Sequence, residues 1–239
     1  MFVPGLSVLN KKQPAVAMVA LVALFAASNA APAFARQPEQ DKAKKVGKLT
    51  ARFFAKRNRA ILRWRGRIER PMASEFRAAI DKWKDRATGG FVISLDSRGG
   101  RVRVAYAVAN MLRDLRKTHR VTTHVGRGRV CGSSCVPIFL QGEKRSVAFA
   151  SLWLFHQITI RHKSDPRKLV VRKKSTNKMF ANYFAPAGVP EFWIQSIKQK
   201  IDGSDYWMTG AELLASGSKI GTHFLNNRKK RSFRRSVAQ

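Results

Sequence analysis

A serine within Cys131-Gly-Ser-Ser-Cys135 and a histidine, His156, that closes the apolar run Leu-Trp-Leu-Phe are the side chains of this 239-residue sequence best suited to nucleophilic catalysis. A serine hydroxyl is a poor nucleophile on its own. It needs a base for its proton, a group that orients the base, and N–H donors for the oxyanion. Ser133 lies in a small-residue turn between a predicted strand over residues 121–125 and a predicted helix. Pro137 fixes where that helix begins, close to Ser133 or Ser134, because proline is tolerated only in a first helical turn. A hydroxyl there stands at a helix start with open N–H groups, and the Ser134 N–H is a natural oxyanion donor. The same Gly-Ser-Ser also serves as an ordinary helix cap or phosphate turn.

Of the five histidines, His119, His124, His162 and His223 sit beside polar residues or in amphipathic strands. His156 alone ends a fully apolar strand, which sets its ring at a sheet rim; the competing reading is a satisfied core histidine. A second oxyanion donor is expected from Asp96-Ser-Arg-Gly-Gly100, where Gly99 or Gly100 lets backbone approach a ligand closely. For the orienting carboxylate, Asp205 and Asp202 are the candidates among 14 acidic residues. Either has an alternative role in pairing with the surplus of lysine and arginine.

The elements that must position these residues alternate. Residues 61–68 read as a half-buried strand, and residues 36–60 as a solvated basic arm, helical around 49–56. Met72, Phe76, Ala79, Ile80 and Trp83 share one helical face, and Val104, Val108, Met111, Leu112 and Leu115 another. Strands are predicted over residues 91–95, 121–125, 146–150, 152–155 and 219–225, with helices around 178–184 and 190–201. Thr209-Gly-Ala-Glu212 is a capping box that opens a short helix ending at Gly217. Residues 159–176 form a strongly basic surface loop or hairpin. This alternation predicts an α/β domain over residues 61–225 with a largely parallel sheet.

Composition supplies an address and a field. Lys11 and Lys12 precede an apolar run that closes on Ala33-Phe-Ala35, the pattern of a signal peptide over residues 1–35, so export to a periplasmic or secreted location is expected. The formal charge of +33 becomes +31 without the two signal lysines, and residues 226–239 form a tail with six basic and no acidic side chains. Such a field attracts polyanions, whether nucleic acid, anionic lipid surfaces or acidic wall polymers. Cys131 and Cys135, four residues apart, would lie about 6 Å apart on a helix, within bridging range. A disulfide or two reduced, buried thiols both fit the spacing.

Four blocks together carry a resemblance: DSRGG before an amphipathic helix, CGSSCVPIFLQG, LWLFHQ, and SDYWMTGAELLASGSKIG. They resemble the Clp-protease proteolytic-subunit superfamily within the wider crotonase-like fold, over residues 61–225. The resemblance implies Ser133 as nucleophile, His156 as base and Asp205 as orienter, with the oxyanion held by Gly99 or Gly100 and by Ser134. It implies a peptide or unfolded-protein substrate and no cofactor or metal; ring assemblies are common in the family, and a homo-oligomer and a monomer are both left open by the sequence. The signal peptide, the paired cysteines, the basic insertion and the charge resemble exported relatives. That likeness, rather than one to the cytosolic subunit that docks on an unfolding ATPase, implies no ATPase partner, and with no nucleotide-binding loop in the sequence any proteolysis is expected to be energy-independent. The rival expectation is an inactive member that binds anionic polymers through its basic arm, loop and tail.

Overall fold

The computed structural model describes residues 46–165 and 167–225. The predicted signal peptide, the first ten residues of the predicted arm and the basic tail lie outside the described residues. The chain runs through β1 (Lys48–Phe54), β2 (Arg59–Arg65), α1 (Pro71–Trp83), β3 (Phe91–Asp96), α2 (Val102–Leu115), β4 (Val121–Val125), β5 (Val130–Gly132), α3 (Cys135–Phe139), β6 (Lys144–Ala148) and β7 (Leu152–Phe155). It continues through β8 (Thr159–Arg161), β9 (Leu169–Val171), α4 (Lys173–Met179), α5 (Glu191–Lys200), β10 (Tyr206–Thr209), α6 (Gly210–Ala215) and β11 (His223–Leu225).

Six strands form the main sheet in the order β1-β2-β3-β4-β6-β11. All neighbours are parallel except β1 and β2, which pair antiparallel. Along β2, β3 and β4 alternate residues are buried; α1 packs on β2 and α3 on β3, and α2 packs against both helices. The α1 residues Met72, Phe76, Ala79, Ile80 and Trp83 are the predicted face, and all are buried. Large side chains such as Trp64, Phe76 and Phe91 are fully enclosed, each stabilising the fold by about 1.5–3 kcal/mol relative to exposure.

Residues 48–54 form a strand rather than the expected helix, with a single 3-10 turn over Ala55–Arg57, and residues 48–60 are not a solvated arm. They belong to a hairpin on the sheet edge, with Leu49 opposite Trp64 and Phe53 opposite Ala60. Phe53 stacks on Trp83 at 6.5 Å, so an apolar partner from α1 overrides the local preference. The capping box opens α6 as expected, Thr209 and Glu212 each satisfying the other's backbone N–H.

On the less buried face, register sets Arg63, Ser94, His124 and Ser146 side by side across four strands. Burial, reinforced by the Arg63 charge, pushes the His124 imidazole below its ordinary range. The folded ring therefore stays neutral where the unfolded chain, with an imidazole near about 6.5, takes up a proton. Stability is complete above that value and is lost as pH falls through it. Thermal melts at about pH 8 and about pH 5.5 should show lower stability at the acid value, and His124→Gln should narrow the gap.

Candidate active site

A second sheet of three strands, in the order β10-β7-β5, builds the site. Its middle strand β7 runs parallel to β5, with Gly132 beside Leu154, and antiparallel to β10, with Phe155 opposite Tyr206. Ser133 directly follows β5, His156 directly follows β7, and Asp205 directly precedes β10. All three therefore stand at the same end of the sheet. Continuing the β7–β10 register by one residue sets Asp205 opposite His156, where Cβ atoms of an antiparallel pair lie about 4.5–5.5 Å apart.

Ser133 adopts φ +52°, a left-handed conformation that costs a non-glycine residue roughly 1 kcal/mol or more. Its surroundings hold it there. The Ser133 N–H donates to the Leu154 carbonyl at 2.8 Å, and the Val136 N–H donates to the Ser133 carbonyl at 3.1 Å. Gly132 is required on the near side, since a Cβ there would fall 2.8 Å from that of Leu154. Cys131 and Cys135 are joined by a disulfide across the turn, Cα–Cα 5.4 Å, and both residues are fully buried. α3 begins at Cys135, the start that Pro137 demanded.

Closing so short a loop restricts the unfolded chain by about 2 kcal/mol in the chain-entropy picture. The double variant Cys131→Ser/Cys135→Ser should lose at least that much in urea unfolding, because two buried hydroxyls replace apolar sulfur. If it keeps full stability, the bridge is not what holds the turn.

The glycine turn packs against this elbow. An added Cβ at Gly99, whose φ is +105°, would lie 2.8 Å from the Ser133 Cβ and from the Gly132 carbonyl oxygen. Ser134, buried, receives the Gly100 N–H on its Oγ at 2.9 Å and lies 3.3 Å from the Gly100 carbonyl, a bond it donates. The Gly99 N–H donates to Ser97 Oγ at 3.1 Å. Both glycine amides expected to receive an oxyanion are thus occupied by serine hydroxyls in this arrangement. Among the described residues the Ser134 N–H has no protein acceptor.

His156 is half-buried, and its Nδ1 lies 2.6 Å from the Gln157 carbonyl oxygen. A carbonyl only accepts, so this contact calls for a proton on Nδ1, and in that neutral tautomer Nε2 carries the lone pair. Among the described residues no hydrogen bond joins His156 to Ser133 or Asp205. Asp205 is exposed, with neither hydrogen bond nor ion pair among them. Asp202, the other sequence candidate, accepts from Gln157 Nε2 at 3.1 Å and pairs with Lys173 at 3.2 Å. Among the described residues no cluster of three or more His, Cys, Asp or Glu side chains suits a metal ion.

No known family's sequence profile matches the chain, and no curated protein does. Solved structures match in shape. ClpP1 from Listeria monocytogenes aligns with a TM-score of 0.52 and 18% identity over 73% of this chain and 94% of its own. A substituted form of a membrane-bound stomatin-specific protease gives 0.55 at 13% identity over 70% of this chain and 78% of its own. The fold is ClpP-like. The ClpP protease catalytic domain from Plasmodium falciparum agrees, at 0.52 and 16% identity over 68% of this chain and 82% of its own.

Within this ClpP-like fold the site rests on two residues that sequence reasoning passed over. Asp96 accepts from the Val130 N–H at 3.2 Å and from Arg129 at 2.7 Å, fastening the start of β5 to the end of β3. Ser97 closes the junction through backbone bonds with Val130 and Gly132. An acidic residue ending a buried strand in so basic a chain was the available signal. Arg98 lies over the Trp207 ring at 5.6 Å and links the glycine turn to β10.

Proposed function

We propose that the protein is an exported serine peptidase that needs no nucleotide. The observation that carries this reading is the placement of Ser133, His156 and Asp205 at one end of three adjacent strands, on a ClpP-like fold. In the proposed reaction Ser133 Oγ attacks the scissile carbonyl as His156 Nε2 takes its proton. The same proton passes to the leaving amine, the peptide C–N bond breaks, and a water activated by His156 releases the acyl group from Ser133. The Ser134 N–H faces the oxyanion, joined by a Gly99 or Gly100 amide once its serine partner rotates. The Gln157 carbonyl holds the His156 tautomer at rest, and Asp205 accepts from Nδ1 when the ring turns toward it. Export agrees with the Cys131–Cys135 disulfide, which persists in oxidising compartments.

Incubating the full chain with an unstructured peptide, without nucleotide, tests this. Cleavage that stops on adding a fluorophosphonate is the expected result. Tight, salt-sensitive polyanion binding without cleavage would instead favour an inactive binder, a reading that the charge of +33 keeps in view.

A further inference from the structure

A cleft of about 950 Å³ opens beside the site, and Gly100, whose backbone Ser134 holds, lines one wall. Its cations are Arg70, Arg101, Arg103, Arg161, Arg172 and Lys178, and no acidic residue lines it among the described residues. All six are exposed. Arg101 shares Glu69 with Arg67, so part of its charge is compensated locally. Arg161 and Arg172 come from the basic insertion at residues 159–176, which folds as the β8–β9 hairpin and returns into α4.

From these features we infer that the cleft selects substrate segments bearing carboxylate side chains next to the scissile bond. This rests on the peptidase reading for the bond that is cut, though not for what is bound. Six cations around one concavity raise the local concentration of anionic segments. The walls between them are apolar, formed by Val104, Ile158, Ile160 and the ring of Tyr106. Tyr106, one face of which stacks on Tyr183 at 4.6 Å, is the one aromatic ring among the described residues lining the cleft, so there is no series of platforms for successive nucleobases. Burial pushes its phenol up to about 12, so it stays protonated. A cationic rim around aliphatic walls fits a polypeptide that mixes acidic and apolar residues better than a nucleic acid, whose binding calls for stacking platforms.

The test is fluorescence anisotropy of the full chain with a short fluorescein-labelled peptide alternating Glu with Leu, against its Gln counterpart. The acidic peptide should bind about 10-fold more tightly or better at low salt, the advantage shrinking as salt screens it. Arg103→Glu/Arg172→Glu/Lys178→Glu should erase the preference, while Arg103→Lys/Arg172→Lys, which keeps the charge, should retain most of it. Equal binding of the two peptides, or a preference untouched by the triple reversal in a variant that melts normally, overturns the inference. So does displacement of the peptide by oligothymidylate that binds the same cleft more tightly. Acidic peptide that binds through these residues and is never cut leaves the cleft assignment standing and sinks the peptidase reading instead.

Discussion

Ser133→Ala should lower peptide cleavage by roughly 10³-fold or more while leaving the fold intact. The expectation follows from the elbow: the side chain is half-buried and makes no hydrogen bond among the described residues, whereas the backbone around it is held by Leu154, Val136 and the disulfide. Removing Oγ takes away the attacking atom and little else. His156→Ala should fall by a similar factor, since neither group works without the other and their losses do not add. Asp205→Ala should lose less than either, because the Gln157 carbonyl already keeps the proton on Nδ1. Rates of a single peptide with the three variants, alongside thermal melts, check the ordering. An Asp205 variant as dead as Ser133→Ala would mean that the Gln157 carbonyl cannot stand in for Asp205 as the acceptor of the Nδ1 proton.

The second large effect concerns stability. Arg145 is buried, and its guanidinium donates to the carbonyls of Ile220 at 2.7 Å, Lys219 at 2.9 Å, Ala187 at 3.0 Å and Gly142 at 3.4 Å. Desolvation pushes its pKa down, yet a guanidinium remains charged. Ala187 and Lys219 flank the stretch that contains α5, β10 and Asp205, so one side chain pins both ends of the segment bearing the proposed orienter. Arg145→Ala would strand several buried acceptors and open a cavity, at a cost of about 3–5 kcal/mol. For a domain of this size that lowers the melting temperature by on the order of 10 °C. Arg145→Lys should recover only part, because an ammonium has three donors and no planar fork. A melt within about 1 °C of wild type would show that water replaces the guanidinium without penalty.

The periodic parts of the fold were legible from residues alone. The α1 face of Met72, Phe76, Ala79, Ile80 and Trp83, the buried strand after Gly90 and the capping box at Thr209 each rest on local patterns that tertiary structure preserves. The first strand was not legible, because Leu49, Ala51 and Phe53 bury only partly and gain their partners from β2 and α1. Nor were β5 and β10, of three and four residues, whose pairing with β7 is decided by register across long sequence separations. That second sheet is what brings Ser133, His156 and Asp205 to one edge. The glycine turn illustrates the remaining gap: its closeness to Ser133 follows from Gly99 lacking a Cβ, but the capture of its amides by Ser97 and Ser134 depends on side-chain rotamers that no spacing encodes.

The central claim is that Ser133 is a nucleophile activated by His156. Treating the full chain with a fluorophosphonate and locating the adduct by peptide mass spectrometry tests it most directly. The account predicts one adduct, on Ser133, absent from His156→Ala and from denatured protein. An adduct on Ser134 instead, or none on a folded sample, would contradict it.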